Sequence, residues 1–265
     1  MSAYRSSQPS LRSFAPPVEL VRPRHDSKER PRTRPQPILP LDLHDGDREI
    51  EAALDPVRRV VNVVLATLAL VVALPVMLLV ALAVKLTSRG PVFYTQVRVG
   101  LDRRQTRLHA NNHRRESDLG GRPFRILKFR TMYVDAEERT GAIWATPDDP
   151  RVTPVGRLLR ASRLDELPQL LNVIRGEMNI VGPRPERPTI FAELRENITE
   201  YPLRQRAKPG ITGLAQINQH YDSCLDDVRR KVQYDLEYIE RQSVLEDLRI
   251  MLKTIPVVLF RKGGW

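Results

Sequence analysis

The chain has 265 residues, 43 Lys and Arg against 32 Asp and Glu, a formal net charge of +11, and one cysteine, Cys224. That length holds one catalytic domain plus appendages, and the charge suits an anionic partner: lipid headgroups, a nucleotide or nucleic acid. A single cysteine excludes an internal disulfide and any cysteine-based zinc site, and is compatible with a reducing compartment.

Residues 1 to about 48 are rich in Ser, Arg and Pro, as in Arg22-Pro23-Arg24 and Arg34-Pro35-Gln36-Pro37. Too few large apolar residues offset the entropy of ordering, so this segment is expected to be disordered, either a tether to acidic lipid or a solvated tail. Within it Asp45-Gly46-Asp47 imitates a metal-chelating Asp-x-Asp. No strand precedes it, and it is read as a decoy.

An uncharged apolar run from Val60 to Val84 follows, with Pro75 inside it. At about 1.5 Å per helical residue it is long enough for a bilayer core of ~30 Å. It begins too far into the chain for a signal peptide, and no small-residue cleavage site follows. Arg58 and Arg59 precede it, and Lys85 and Arg89 follow. Cytoplasmic flanks are enriched in Lys and Arg, so a simple span would leave one basic flank on the wrong side. A helix broken at Pro75 that enters and leaves the same leaflet satisfies both flanks; a single span tolerating the proline is the alternative. Residues 49–89 are therefore expected to form a membrane-associated re-entrant helix, and residues 90–265 a catalytic domain.

Gly90-Pro-Val-Phe-Tyr-Thr-Gln-Val-Arg-Val-Gly100 is β-prone and bracketed by turn residues. Residues 102–120 are polar and read as a loop, in which the i, i+4 pair His109 and His113 is expected to be solvated rather than a metal site. Arg122 to Met132 alternates apolar and basic positions, predicting a half-buried strand with Arg125 and Lys128 projecting differently from Ile126 and Phe129. Helical spacing returns from Val152 to Asn172. Leu245, Leu248, Leu252, Ile255 and Leu259 then recur at three- and four-residue steps, with Arg249, Lys253, Arg261 and Lys262 among or after them. That pattern predicts an amphipathic helix, interrupted at Pro256, that lies in the headgroup plane or packs on the soluble core.

Neither a Gly-x-x-x-x-Gly-Lys phosphate loop nor a Gly-x-Gly-x-x-Gly fingerprint is present. The segment dense in chemistry runs from Arg160 to Gly176 and holds Arg163, Asp165, Glu166 and Pro168; Gly182-Pro183-Arg184-Pro185 follows closely. Asp165 could simply cap a helix that starts there and ends near Gly176. The same placement could keep a carboxylate ionised and nucleophilic. It would also offer N–H groups to a phosphate, put a second carboxylate within reach of Mg²⁺, and surround both with Arg160, Arg163 and Arg184.

Residues from about 57 to 265 resemble the bacterial monotopic phosphoglycosyl transferases, which transfer a sugar 1-phosphate to a polyprenyl phosphate and begin exopolysaccharide and glycoconjugate assembly. The resemblance runs through Gly90 to Gly100, Lys128-Phe-Arg-Thr-Met132, Leu164-Asp-Glu-Leu-Pro-Gln-Leu-Leu-Asn-Val173, Gly182-Pro-Arg-Pro185 and Lys208-Pro-Gly-Ile-Thr-Gly213, in the family's order. It implies a mostly helical α/β catalytic domain on the cytoplasmic face of the inner membrane, with a re-entrant helix and interfacial helices. A UDP-sugar, undecaprenyl phosphate and Mg²⁺ would be its partners. Asp165 is implied as nucleophile, forming an aspartyl phosphosugar intermediate, and Glu166 as Mg²⁺ ligand. Lys128, Arg130, Arg160, Arg163, Pro183, Arg184, Pro185 and Lys208 are implied in substrate binding. Nucleic acid is not required, and homo-oligomerisation is left open.

Three departures stand out. Residues 103–119 look like an insertion, the Arg/Pro-rich tail stands where larger members have several spans, and Leu214 replaces a frequent tryptophan. A membrane-anchored nucleic-acid-binding protein is the competing class, but the chain shows neither a basic helical module nor interleaved aromatics. A structural scaffold, the third class, would turn over no nucleotide.

Overall fold

The computed structural model describes residues 55–102, 120–134, 136, 149–219 and 224–259. The tail, Asp45 to Asp47, His109, His113, the insertion at 103–119, Arg261 and Lys262 lie outside the described residues.

The apolar run becomes helix α1, Pro56–Thr87. Asp55 starts it by accepting from the Val57 N–H at 2.8 Å, and Pro56 sits where a missing donor costs nothing. Its 32 residues extend ~48 Å. Arg58, Asn62, Ala66, Met77, Val80 and Val84 are buried, and Leu70 and Ala73 half-buried between them. These positions recur at three- and four-residue steps, so one stripe packs on the protein along nearly the whole helix. The other faces carry exposed apolar residues, such as Val72 at 79 % and Leu79 at 68 %.

The helix is uninterrupted at Pro75, contrary to the expected break. A proline removes one backbone donor, and the loss is tolerated where side chains on both sides of it are held by the same body. The basic flank at its start is also reassigned. Arg58 is buried, donating to Asp247 at 2.7 and 3.0 Å and to Gln242 at 2.7 Å. Arg59 donates to the Val173 and Ile174 carbonyls at 2.5 and 2.6 Å, at the end of a helix whose dipole favours a cation. At the far end Arg130 donates to the Ser88 carbonyl and hydroxyl at 2.8 and 2.7 Å. Both ends of α1 are thus tied to the catalytic domain.

Strands β1 (Phe93–Val99) and β2 (Pro123–Phe129) pair antiparallel, with Phe93 opposite Phe129 and Tyr94 opposite Lys128. Phe124, Ile126 and Lys128 share one face of β2, while Arg125 and Phe129 lie on the other. Both faces are covered: Ile126 meets α1 and the later helix around Leu170, and Phe129 meets Val80, Val84 and Leu159. Lys128 therefore points the way Ile126 does, not away from it as expected.

The helical spacing from Val152 onward resolves into two helices, α2 (Pro154–Ser162) and α3 (Gln169–Arg175). Between them stand Arg163, in the left-handed conformation at φ 60°, and a single 3₁₀ turn, Leu164–Glu166. Gly176 at φ 84° ends α3, as expected. Strand β3 (Asn179–Val181) pairs in parallel with β4 (Gly210–Thr212), joined through α4 (Pro188–Asn197) and a 3₁₀ segment, Tyr201–Arg206. A Cβ on Gly182 would stand 2.2 Å from the Lys208 carbonyl, and one on Gly210 2.1 Å from the Gly182 nitrogen. These two motif glycines permit the backbones to touch.

Helices α5 (Leu214–Asn218), α6 (Leu225–Arg241) and α7 (Val244–Leu259) complete the chain. Leu214 packs against the core that includes Phe191, Val232 and Ile239. In α7 the inward side carries Asp247 and Ile250, while Leu245, Leu248, Leu252 and Ile255 are exposed. The leucine stripe therefore faces away from the core, and α7 passes through Pro256 without interruption.

Candidate active site

The 3₁₀ turn holds Asp165 and Glu166, both 7 % exposed. Neither caps α3, whose N-cap is Pro168 with no side-chain hydrogen bond. The two carboxylates instead meet cations brought from elsewhere in the chain. Lys128 Nζ lies 2.9 Å from Glu166 Oε1 and 3.9 Å from Asp165 Oδ2. Arg184 Nη2 donates to the same Glu166 Oε1 at 2.7 Å.

Their ionisation differs accordingly. Burial pushes the Asp165 carboxyl above the ordinary aspartate range, and the neighbouring charge of Glu166 adds to that, while Lys128, Arg184 and Arg160 pull against it. Asp165 thus stands in a 3₁₀ turn among cations and not at the N-terminus of α3. Burial also opposes the Glu166 carboxylate, but Arg184 and Lys128 outweigh it and hold that group well below its usual range.

Three supports position these groups. Asn172, fully buried, accepts from the Leu127 N–H at 3.0 Å and donates to the Arg125 carbonyl at 2.8 Å, fixing β2 so that Lys128 faces the turn. Arg204 donates to the Arg184 carbonyl at 3.1 Å, to Asp235 at 2.7 Å and to the Tyr201 hydroxyl at 2.8 Å. Arg98 donates to the Pro185 carbonyl at 3.1 Å, and the Glu186 carbonyl accepts from the Val99 N–H at 2.9 Å. The Pro183-Arg184-Pro185 segment is thereby fastened on both sides, with the Gly210 N–H on the Pro183 carbonyl at 3.0 Å. The motif reading missed Arg98, although it lies within the Gly90 to Gly100 motif, and Arg204, just before Lys208, because their partners are brought to them only by the fold. The one available signal was that a buried arginine needs a carboxylate or carbonyl partner.

Of the implied substrate-binding residues, Lys128, Arg160, Arg163 and Arg184 all act on the carboxylates. Arg160 also donates to the Thr131 hydroxyl at 2.9 Å. Arg130 is used elsewhere, at the end of α1. Lys208 lines with Arg122, Arg175 and Glu177 a cavity of about 180 Å³ beside Gly176, the residue that ends α3. A second cavity, of about 150 Å³, opens beside Arg163 and Glu166.

Among the described residues no group of three or more His, Cys, Asp and Glu converges on a metal position. Glu166 Oε1 already accepts two cationic donors, so Oε2 is the oxygen that can serve an ion. One or two carboxylate oxygens suffice for Mg²⁺ when a diphosphate supplies the rest, and the pair fits on that basis.

Residues 54–261 match the bacterial sugar transferase family. The UDP-glucose:undecaprenyl-phosphate glucose-1-phosphate transferase of Caulobacter vibrioides is 38 % identical over 247 residues, 91 % of this chain and 85 % of the relative. The Escherichia coli protein of the same name is 40 % identical over 83 % of this chain but only 43 % of its own length. The UDP-N-acetylgalactosamine-undecaprenyl-phosphate N-acetylgalactosaminephosphotransferase of Aeromonas hydrophila is 38 % identical over 78 % of this chain and 45 % of its own. This chain thus spans most of the first relative and less than half of the other two. With the match covering α1 to α7 and every motif of the site, the chain belongs to the bacterial sugar transferase family.

Proposed function

We propose that this chain transfers a sugar 1-phosphate from a UDP-sugar to undecaprenyl phosphate, the first committed step of a surface polysaccharide or glycoconjugate. The observation that carries the reading is the asymmetry of the turn: a buried carboxylate of raised pKa beside one locked between two cations. Residues that do the same thing would not need opposite environments.

Asp165 is the nucleophile. One of its oxygens bonds to the β-phosphorus of the UDP-sugar as the bond from that phosphorus to the bridging oxygen breaks, and UMP leaves with the electron pair. The aspartyl phosphosugar is a mixed anhydride. A phosphate oxygen of undecaprenyl phosphate then bonds to the same phosphorus, the bond to Asp165 breaks, and the carboxylate returns as polyprenyl diphosphosugar forms. Lys128, Arg160, Arg163 and Arg184 lie where they offset the diphosphate charge. Mg²⁺, bound through Glu166, would neutralise diphosphate charge further.

The protein works at a membrane, on its cytoplasmic face. Both ends of α1 are tied to one body while its outer faces are apolar, and only 17 % of its most apolar window is buried. A perpendicular span would have to carry the catalytic domain into the bilayer with it. A helix held from below and lying within one leaflet does not, and the outward leucines of α7 supply a second lipid contact.

The test is intact-protein mass spectrometry with a panel of UDP-sugars and Mg²⁺ but no acceptor. A phosphosugar adduct mapping to Asp165, with UMP release, is expected. Turnover by Asp165→Asn at near wild-type rate would defeat the mechanism.

A further inference from the structure

The cavity of about 150 Å³ beside the turn has two chemical ends. Arg163 and Glu166 stand at one, and Leu170 of α3, Ile217 of α5 and Val257 and Val258 of α7 line the other. Its floor is held by the Thr212 and Thr254 hydroxyls, 2.8 Å apart, which join β4 to α7. Val258 is 41 % exposed and borders Ile255, at 54 %, on the outward stripe of α7, so the apolar end opens onto that stripe.

The cavity is too small to enclose a whole sugar nucleotide, since sites for drug-sized ligands run to roughly 300 Å³ or more. A cavity near ~150 Å³ has room for a benzene-sized group, about the bulk of one isoprene unit. The polar end lies one residue from Asp165. We infer that this groove receives the phosphate-bearing end of the polyprenyl acceptor, with the first isoprene unit between Leu170, Ile217 and Val257 and the phosphate beside Arg163. The inference rests on the transfer reaction proposed above and adds where its second substrate enters: along α7.

Arg163 suits that role for a second reason. At φ 60° it is the sole non-glycine residue with positive φ among the described residues, and the turn needs that conformation to bring the two carboxylates inward. Glycine adopts it without strain, so Arg163→Gly removes the guanidinium and keeps the turn.

A polyprenyl phosphate carrying a diazirine on its first isoprene unit, in phosphatidylglycerol nanodiscs with the full chain, tests the assignment. Photolabel is expected on the peptide containing Val257 and Val258, displaced by unlabelled polyprenyl phosphate but not by added phosphatidic acid. Val257→Trp should raise acceptor KM about tenfold while leaving acceptor-independent UMP release unchanged, since only the second displacement uses the groove. Label confined to α1, displacement by phosphatidic acid, an unchanged acceptor KM, or equal loss of both half-reactions would each overturn the inference. Failure of the wild type to release UMP at all would instead strike the proposed reaction, and the photolabel would still decide the groove.

Discussion

Asp165 and Glu166 are chain neighbours that share Lys128, yet only Glu166 also receives Arg184. That contact, the strongest charge acting on Glu166, helps separate their protonation behaviour and sets opposite expectations for replacing each.

At neutral pH the ionised Asp165 is disfavoured by folding, because its folded pKa lies above its unfolded value. Its destabilising contribution appears as pH rises from the unfolded pKa through the folded one. Asp165→Asn should therefore abolish turnover yet raise the thermal midpoint in detergent by about 2–4 °C. Glu166 behaves the other way. Its depressed pKa means a stabilising contribution present above about pH 4.3 and lost as pH falls below that. Glu166→Gln should cost about 3 kcal/mol, since Lys128 and Arg184 then lose their buried counter-charge, and should lower activity as well. Urea titrations of both variants decide the point; a stabilised Glu166→Gln would contradict it.

Attack by Asp165 requires the carboxylate. Single-turnover UMP release should thus fall as pH is lowered, with a midpoint above the ordinary aspartate value of about 3.9. A profile flat down to pH 4 would show that the burial of Asp165 does not govern its reactivity.

Arg204 and Asp235 are both nearly inaccessible and pair at 2.7 Å. Arg204→Leu should destabilise by about 3–5 kcal/mol, because Asp235 is left buried without its partner. The double variant Arg204→Leu/Asp235→Leu should recover much of that stability. Its KM for the UDP-sugar should remain raised, because the Arg184 carbonyl has lost its donor. Recovery of KM together with stability would reduce Arg204 to a packing role.

For the membrane arrangement, single cysteines at Val57 and Thr87 in a Cys224→Ser background report the two ends of α1. Both should resist an impermeant thiol reagent in intact cells and react once the membrane is permeabilised. Labelling of one end from outside would establish a span and defeat the proposed topology.

What was legible in the sequence followed from local chemistry. The apolar run, the strands around Phe93 and Ile126, the αL stop at Gly176 and the Asp165-Glu166 pair announce themselves by composition, alternation and motif, all of which operate over a few residues. The leucine steps of α7 were equally visible, but whether they faced the core or away from it was not, because an amphipathic period reports a face and not its partner. The tertiary structure decided that by turning Asp247 inward onto Arg58. It decided likewise that α1 continues through Pro75, held by contacts on both sides, and that Arg130 donates to Ser88 at its end. The properties of Asp165 depend on the same level of organisation. Its pKa is set by Lys128, 37 positions earlier, by Arg184 further on, and by the burial they share, and no local pattern encodes a distance between residues that the fold alone brings together.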